Sequence, residues 1–560
     1  MHNRFRRALV APTLAIALAA FAGAAMAADN GPDGPATPTA LSAADRLSYT
    51  TAFDALRRGD LETARASARQ AHDRVLLGQV EFERLFHADY SATYEELAAW
   101  LEEYSDLSCA PRVYNLALRR RPDGAPEPRR PAGVGGRTWN SVVAAGGGSA
   151  ADDPMKTARI AYNADDLVGA SALGRQIGDW WTTGLADYRL GDYGAAVTAF
   201  ERVLEDPTED AWVRAGAGVW AAKAAGRSAQ QDRIQGFLHQ AARWPASFYG
   251  QIALRMLGED PVIENQGPSP YRAEPRVERA AYRPDRADAV DAEELEAFVR
   301  SDAQARRTVA YYEVGRRTAA RDELKSGMRS AVTDSAHRLW TALAQVLAPR
   351  VMGASDDAGR IDADRYPQPV IEPEGGFTVE RSLVYAIARK ETGFNPDARS
   401  GAGAYGLMQV MPTTAAELSG DPGFVTEPNR LLQPAVNARL GQAYVSKVLA
   451  MPAINGDLLR MAASYNAGPG PMVAAVRKLG PEADPLLLIE TIDVPQARDY
   501  VEKVVAAYWI YQRLNGRPLN TLDAVASGAT AVPISLDYVA PSPADRPVEI
   551  AQTVVTGGER

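Results

Sequence analysis

Cysteine is almost absent from this sequence. Cys109 is the single one among 560 residues, so no disulfide forms within the chain and the fold must rest on packing. Its setting, Leu107-Ser108-Cys109-Ala110, suits a small buried side chain better than a reactive thiol. Histidine is scarce as well. The five histidines do not cluster and the acids lack ligand spacing, so neither a metal site nor a cofactor is implied. A strong basic charge is missing too: 61 Lys and Arg face 70 Asp and Glu, for a net charge of −9. Nucleic-acid binders carry basic patches, and nothing in this balance points to nucleic acid, which is not expected as a partner. Beyond the first residues there is no apolar run long enough to span a bilayer.

What is present begins with an export signal. Arg4, Arg6 and Arg7 precede an apolar, Ala-rich stretch from Ala8 to Ala25, and Ala25-Met26-Ala27 has the form of a signal-peptidase site. Residues 1–27 are expected to be a cleaved signal peptide, with an N-terminal membrane anchor as the rival reading. The mature chain is then expected to be soluble in the periplasm. It is not expected to be a lipoprotein, because Ala28 and not a cysteine stands directly after the cleavage site.

A chain of this length, 46% hydrophobic and 23% charged, calls for more than one core. Residues 28–42, rich in Pro, Gly, Asp and Thr, predict a disordered linker. From 43 to 350 the pattern is Ala-, Leu- and Arg-rich and helical. Within it Trp180 and Gly184 recur as Trp212 and Gly216. Gly191-Asp192-Tyr193, Ala196, Phe200 and Pro207 lie between. This resembles a tetratricopeptide repeat and predicts an α-solenoid, or superhelix. Pro and Gly break every helical pattern across 120–154, which reads as a loop insertion, and a second polar loop is expected around 257–288. Residues 351–376 read as a linker, 377–520 as a second domain, and 521–560 as a flexible tail.

The second domain carries the chemistry. Thr378 is placed to cap a helix that continues to about Glu391. Val384, Ile387, Ala388 and Glu391 share its apolar face, and Gly393 and Pro396 end it. A carboxylate there is disfavoured in its charged form by burial and by the negative helix end. A glutamate that keeps its proton near neutral pH is what a general acid must be. Taken alone, the position also fits an idle, solvated glutamate. Two further elements follow. Ser400 to Gln409 is a Gly-rich stretch whose backbone permits close approach of a ligand, and Gln409 offers both donor and acceptor to a sugar. Without a ligand it is simply a turn between helices. Ser464-Tyr465-Asn466-Ala467-Gly468-Pro469-Gly470 ends one helix and opens another, and Tyr465 fits either core or site.

Together these elements resemble the soluble lytic murein transglycosylases. The family motifs E-S-x-x-N-P, G-L-M-Q and A-Y-N-A-G read here as Glu391-Thr392-Gly393-Phe394-Asn395-Pro396, Gly406-Leu407-Met408-Gln409 and Ser464-Tyr465-Asn466-Ala467-Gly468. A fourth motif, Glu-Thr-Arg followed by Tyr-Val, reads Gln496-Ala497-Arg498-Asp499-Tyr500-Val501, with an amide where the family has a carboxylate. The resemblance implies a mostly α chain: an N-terminal superhelical domain followed by a lysozyme-like, predominantly helical catalytic domain. It implies cleavage of the bond between N-acetylmuramic acid and N-acetylglucosamine, with a 1,6-anhydro end as product. Glu391 would be acid and then base. Ser400, Met408, Gln409, Tyr465 and Asn466 would bind substrate, and Thr392, Gln496 and Tyr500 would support. Peptidoglycan glycan strands are the implied partner, with other cell-wall enzymes as further candidates. A hydrolytic muramidase, using water in place of the sugar's own hydroxyl, and a repeat-type binding scaffold with an inactive enzyme domain are the alternatives.

Overall fold

In the computed structural model, Asp, Ser and Thr side chains start about half of the helices by accepting hydrogen bonds from first-turn N–H groups. Ser42, Asp60, Thr93, Asp166, Asp179, Asp192, Ser247 and Asp457 are examples. The structure describes residues 37–107, 109–131, 156–265, 290–351 and 358–538. The expectations for residues 1–36, for 132–155 of the insertion and for 266–289 of the polar stretch lie outside these.

Helices α1 (Ala43–Arg57), α2 (Leu61–Gln70), α3 (Leu77–Leu85), α4 (Tyr94–Tyr104) and α5 (Ala110–Arg120) open the chain. Cys109, at the start of α5, is partly buried, and burial pushes its thiol up to about 12. Seven more helices follow: α6 (Thr157–Asn163), α7 (Leu167–Ile177), α8 (Trp180–Leu190), α9 (Tyr193–Glu205), α10 (Ala211–Ala225), α11 (Ile234–Ala241) and α12 (Phe248–Leu257). They stack as successive hairpins. The glycines singled out in the sequence sit where helices touch: a Cβ on Gly184 would meet the Phe200 ring at 2.7 Å, and one on Gly216 would meet Trp181 at 2.8 Å. Next come α13 (Ala292–Ser301), α14 (Ala303–Glu313), α15 (Arg317–Ser330) and α16 (Asp334–Val351).

Packing does not follow chain order. One core joins α1–α3 to α13–α16, through Tyr49, Phe53, Val309, Leu324 and Leu343 among others. Arg306 and Arg316 tie this union to Asp73 and Glu83. Residues 37–42, expected to be disordered, are part of it: Leu41 is buried and its N–H donates to Glu313 at 2.8 Å. A carboxylate within reach of unpaired backbone donors orders a segment whose composition alone reads as disordered.

A second and larger core joins α6–α12 to the C-terminal domain. That domain holds α17 (Arg381–Thr392), α18 (Pro412–Ser419), α19 (Gly423–Thr426), α20 (Pro434–Leu449), α21 (Leu458–Ala467), α22 (Pro469–Leu479), α23 (Pro485–Thr491), α24 (Pro495–Leu514) and α25 (Asn520–Ala526). At the junction, Phe248 stacks on Trp509 with centroids 5.2 Å apart. Gln251 donates to the Ala506 carbonyl at 3.1 Å, and Tyr249 donates to Glu490 at 3.0 Å. The only strands among the described residues are β1 (Ile263–Glu264) and β2 (Ile361–Asp362), paired in parallel as Ile263 with Ile361.

Three boundary expectations are corrected. Residues 358–376 are not a free linker: Ile361 and Ile371 are buried, and the Tyr385 and Tyr511 hydroxyls donate to the carbonyls of Pro369 and Pro367. Residues 521–538 are not a flexible tail, because Asp537 is fully buried and accepts from Thr521 and Tyr508; residues 539–560 lie outside the described part. The helix before Glu391 starts at Arg381, with Glu380 at its N-cap position. Thr378 instead donates its backbone N–H to Gln442 at 2.9 Å.

Candidate active site

Three helices and one loop converge on Glu391. Helix α17 buries Leu383, Val384, Ile387 and Ala388 and stops at Gly393, whose φ of +59° favours glycine. The Thr392 hydroxyl donates to the carbonyls of Ala388, at 3.2 Å, and of Leu407, at 3.0 Å, stitching the helix end to the loop. Glu391 is thereby fixed, half-buried, in the last turn.

Helix α24 lies across α17 and delivers Tyr500, whose hydroxyl donates to Glu391 Oε1 at 2.7 Å. Burial holds the Glu391 carboxyl above its ordinary value, while the Tyr500 hydrogen bond and the Lys390 charge oppose it. Lys390 is in turn paired with Asp499 of α24 at 2.7 Å. Burial, with the Glu391 charge beside them, pushes the phenols of Tyr500 and Tyr465 far up, so both remain neutral donors. Helix α21 places Tyr465 with its ring stacked 6.2 Å from that of Tyr500, and its hydroxyl donates to the Met408 carbonyl at 2.8 Å.

The loop from Ala398 to Val410 is held by short antiparallel bridges of Tyr405 with Arg399 and with Val410. Gly406 (φ +73°) is required where it stands, since a Cβ would lie 2.3 Å from the Leu431 carbonyl. Gln409 adopts φ +50° and donates its amide to the Gly406 carbonyl at 2.8 Å. That bond orients the Gln409 carboxamide along the loop.

Sequence reasoning missed the residue that holds this loop. Asn437 of α20 is fully buried. It accepts from the Met408 N–H at 2.8 Å and donates to the carbonyls of Tyr405, at 2.8 Å, and Leu431, at 2.9 Å. A signal was present: an amide shares a helix face with Leu440 and Gly441, where the pattern calls for apolar residues.

The predicted site residues separate into two groups. Glu391, Thr392, Tyr465 and Tyr500 come together, and Gln409 follows Met408 on the adjoining loop with its amide bonded to that loop's own Gly406 carbonyl. Met408 does not present its side chain: it is fully buried under Gly441, where a Cβ would lie 2.4 Å from its sulfur, so its backbone carbonyl alone meets Tyr465. Ser400 turns its hydroxyl onto its own loop, accepting from the Ala404 N–H at 2.9 Å. Asn466 and Gln496 are exposed, Gln496 lying one turn before Tyr500 on α24.

The acids weighed as partners of Glu391 are occupied elsewhere or stand in solvent; a further one, Glu502 of α24, is partly buried, and burial with the nearby Glu490 charge pushes its carboxyl well up. Asp499 is paired with Lys390, Glu490 is buried against Tyr249, and Asp397 and Glu427 are exposed. Among the described residues no three His, Cys, Asp or Glu groups are placed to hold a metal ion, and no helix is long and apolar enough to cross a membrane. The arrangement therefore offers one carboxyl able to give up a proton and to take one back, with a phenol hydroxyl bonded to it.

Residues 368–484 match the family model described as the Transglycosylase SLT domain. The chain is 34% identical over 141 residues to the soluble lytic murein transglycosylase of Escherichia coli, a match covering 24% of this chain and 21% of that protein. It is 31% identical over 172 residues to membrane-bound lytic murein transglycosylase C of Actinobacillus pleuropneumoniae, covering 27% and 47%. The chain thus spans about a fifth of the length of the soluble relatives it matches. Among solved structures, an inactive mutant of the lytic transglycosylase Slt from Pseudomonas aeruginosa aligns with a TM-score of 0.41 at 20% identity, over 84% of this chain and 81% of that one.

Proposed function

From a C-terminal domain of the SLT transglycosylase type, we propose that the whole chain is a peptidoglycan lytic transglycosylase with Glu391 as its single acid and base. The observation that carries this reading is the half-buried Glu391 carboxyl, raised by burial and bonded by Tyr500, with the adjacent Asp499 paired to Lys390. A two-carboxylate glycosidase needs a partner acid roughly 5–10 Å away on the far side of the sugar. A one-carboxylate enzyme needs a nucleophile from the substrate instead.

Glu391 enters protonated, because burial favours the neutral form. Its proton passes to the glycosidic oxygen as the bond from that oxygen to the muramoyl C1 breaks. The carboxylate left behind is stabilised by the Tyr500 O–H. It then takes the proton of the muramoyl 6-hydroxyl while the 6-oxygen bonds to C1. The 1,6-anhydro ring closes, no water is consumed, and Glu391 regains its proton. Tyr465 and Gln409 line the approach to this carboxyl. The superhelix and its tetratricopeptide-like hairpins guide the strand. Export through the N-terminal signal peptide to the periplasm, where the substrate lies, completes the reading.

The test is digestion of purified sacculi, with mass spectrometry of the released ends. Anhydromuropeptides are expected, at a mass one water below the hydrolysed form. Reducing muramic ends alone would overturn the transglycosylase reading in favour of a muramidase.

A further inference from the structure

A cavity lies away from Glu391, at the seam where the α8–α10 hairpins meet α15 and α16. The two parts approach closely there: a Cβ on Gly178 would lie 2.3 Å from the Arg329 carbonyl. Beside that contact the surfaces diverge around a space of about 320 Å³, lined by Trp180, Trp181, Asp206, Glu209, Met328 and His337 among others. Arg202, also in the wall, lies over the Trp180 ring at 4.4 Å and is tied to Asp334 at 2.8 Å.

The wall contains polar atoms without partners. The Trp180 indole N–H and both ring nitrogens of His337 are buried and make no hydrogen bond. Glu205 stands 3.9 Å from His337 Nε2, beyond hydrogen-bond reach. Buried groups of this kind are rare because each costs free energy unless something bonds to it. The chemistry around the space is mixed. Indole rings and a methionine provide apolar surface, arginine and indole N–H groups donate, and Asp206 and Glu209 accept. Burial keeps His337 neutral, lowering it to about 4, so it offers one donor and one acceptor. An anion would face Asp206 and Glu209, and a cation Arg202 and Arg329, which also line the space. A neutral ring with C–H faces and hydroxyl edges satisfies both kinds of wall, and a space of this size sits at the lower end of the roughly 300–1,000 Å³ of ligand sites.

We infer that this seam is a second saccharide site, which takes one pyranose ring between Trp180–Trp181 and His337. Its assignment to a glycan strand rests on the transglycosylase reading above; the site itself rests on the cavity. It would hold a strand at a point remote from the cleavage site.

The experiment uses the full chain carrying Glu391→Gln, so that the ligand is not consumed, and tri-N-acetylchitotriose as the probe. Isothermal titration is expected to give two sites per chain. Trp180→Phe, which keeps an aromatic ring and removes the indole N–H, combined with His337→Phe, is expected to weaken one site at least tenfold and leave the other. A single site in the parent chain, or two undiminished sites in the substituted chain, overturns the inference. Should the substituted chain fail to fold, crystals of the Glu391→Gln chain soaked with the trisaccharide decide: sugar in the seam supports the site, and ordered water alone overturns it. A wild-type chain that releases nothing from sacculi yet binds the trisaccharide at the seam would overturn the transglycosylase reading and leave this site standing.

Discussion

Glu391 is held between opposing influences, and each makes a prediction. Burial favours its neutral form, and the Tyr500 hydroxyl favours its charged form. Tyr500→Phe removes the second influence. A hydrogen bond to a charged group is worth about 1.5–3 kcal/mol, so turnover should fall about 10–100-fold. The alkaline limb of the pH profile should move to higher pH, because the carboxyl then keeps its proton longer; anhydromuropeptide release measured across pH checks both. Glu391→Gln should lose at least about 10²-fold, since one group serves both steps. It should also change stability in a defined window. The folded-state value of Glu391 lies above the roughly 4.3 of an unfolded chain. Its stabilising contribution is therefore complete below that pH and is lost as pH rises through the folded value. Thermal melts should show the Gln variant gaining on the parent between acid and neutral pH; a constant gap would argue against a raised carboxyl. Gln496→Glu lies in solvent, and should alter stability by less than about 0.5 kcal/mol and turnover only modestly.

At the level of elements, the Ala398–Val410 loop depends on α20 more than on its own sequence. Asn437→Ala leaves the Met408 N–H and two carbonyls buried without partners, at a cost of about 2–4 kcal/mol. Turnover should fall along with the melting temperature, as Gln409 and the Met408 carbonyl lose their frame; a variant as stable and active as the parent would show that the loop holds itself. The contrast between Asn437 and Glu391 marks what is legible in a sequence. Helix α17, its stop at Gly393 and the placing of Glu391 follow from periodicity and turn residues, which act locally. The hairpin contacts at Gly184 and Gly216 follow from residue size. Met408 reads as a ligand contact until Gly441 is brought beneath it, and residues 37–42 read as disordered until Glu313 arrives. Thr378 has the chemistry of a helix cap, yet a distant Gln442 takes its N–H. In each case a partner far along the chain outweighed a local preference. Tyr500 was readable from its motif, but its bond to Glu391 required the crossing of α24 over α17.

For the whole molecule, chain order and folding units diverge. The C-terminal domain shares its core with α6–α12 through Phe248, Tyr249 and Gln251. A fragment of residues 368–538 would expose the face of α24 around Trp509. With two or three aromatic burials lost at roughly 2 kcal/mol each, it should melt about 10 °C or more below the intact chain, or fail to stay in solution. An undiminished melting temperature would show that the shared core contributes little. The other union, of α1–α3 with α13–α16, has a consequence in time. These first helices are made first, yet their core closes only when residues up to 351 have been made. Tyr49 and Phe53 wait for Val309, Leu324 and Leu343. At synthesis rates of roughly 5–20 residues per second, the interval between the two groups is on the order of 15–50 s. During it the apolar face of α1 has no permanent cover, and it is open to holdase chaperones and to proteases. Nascent chains halted before residue 290 should be cut between residues 43 and 85, and chains that have passed residue 351 should be protected there.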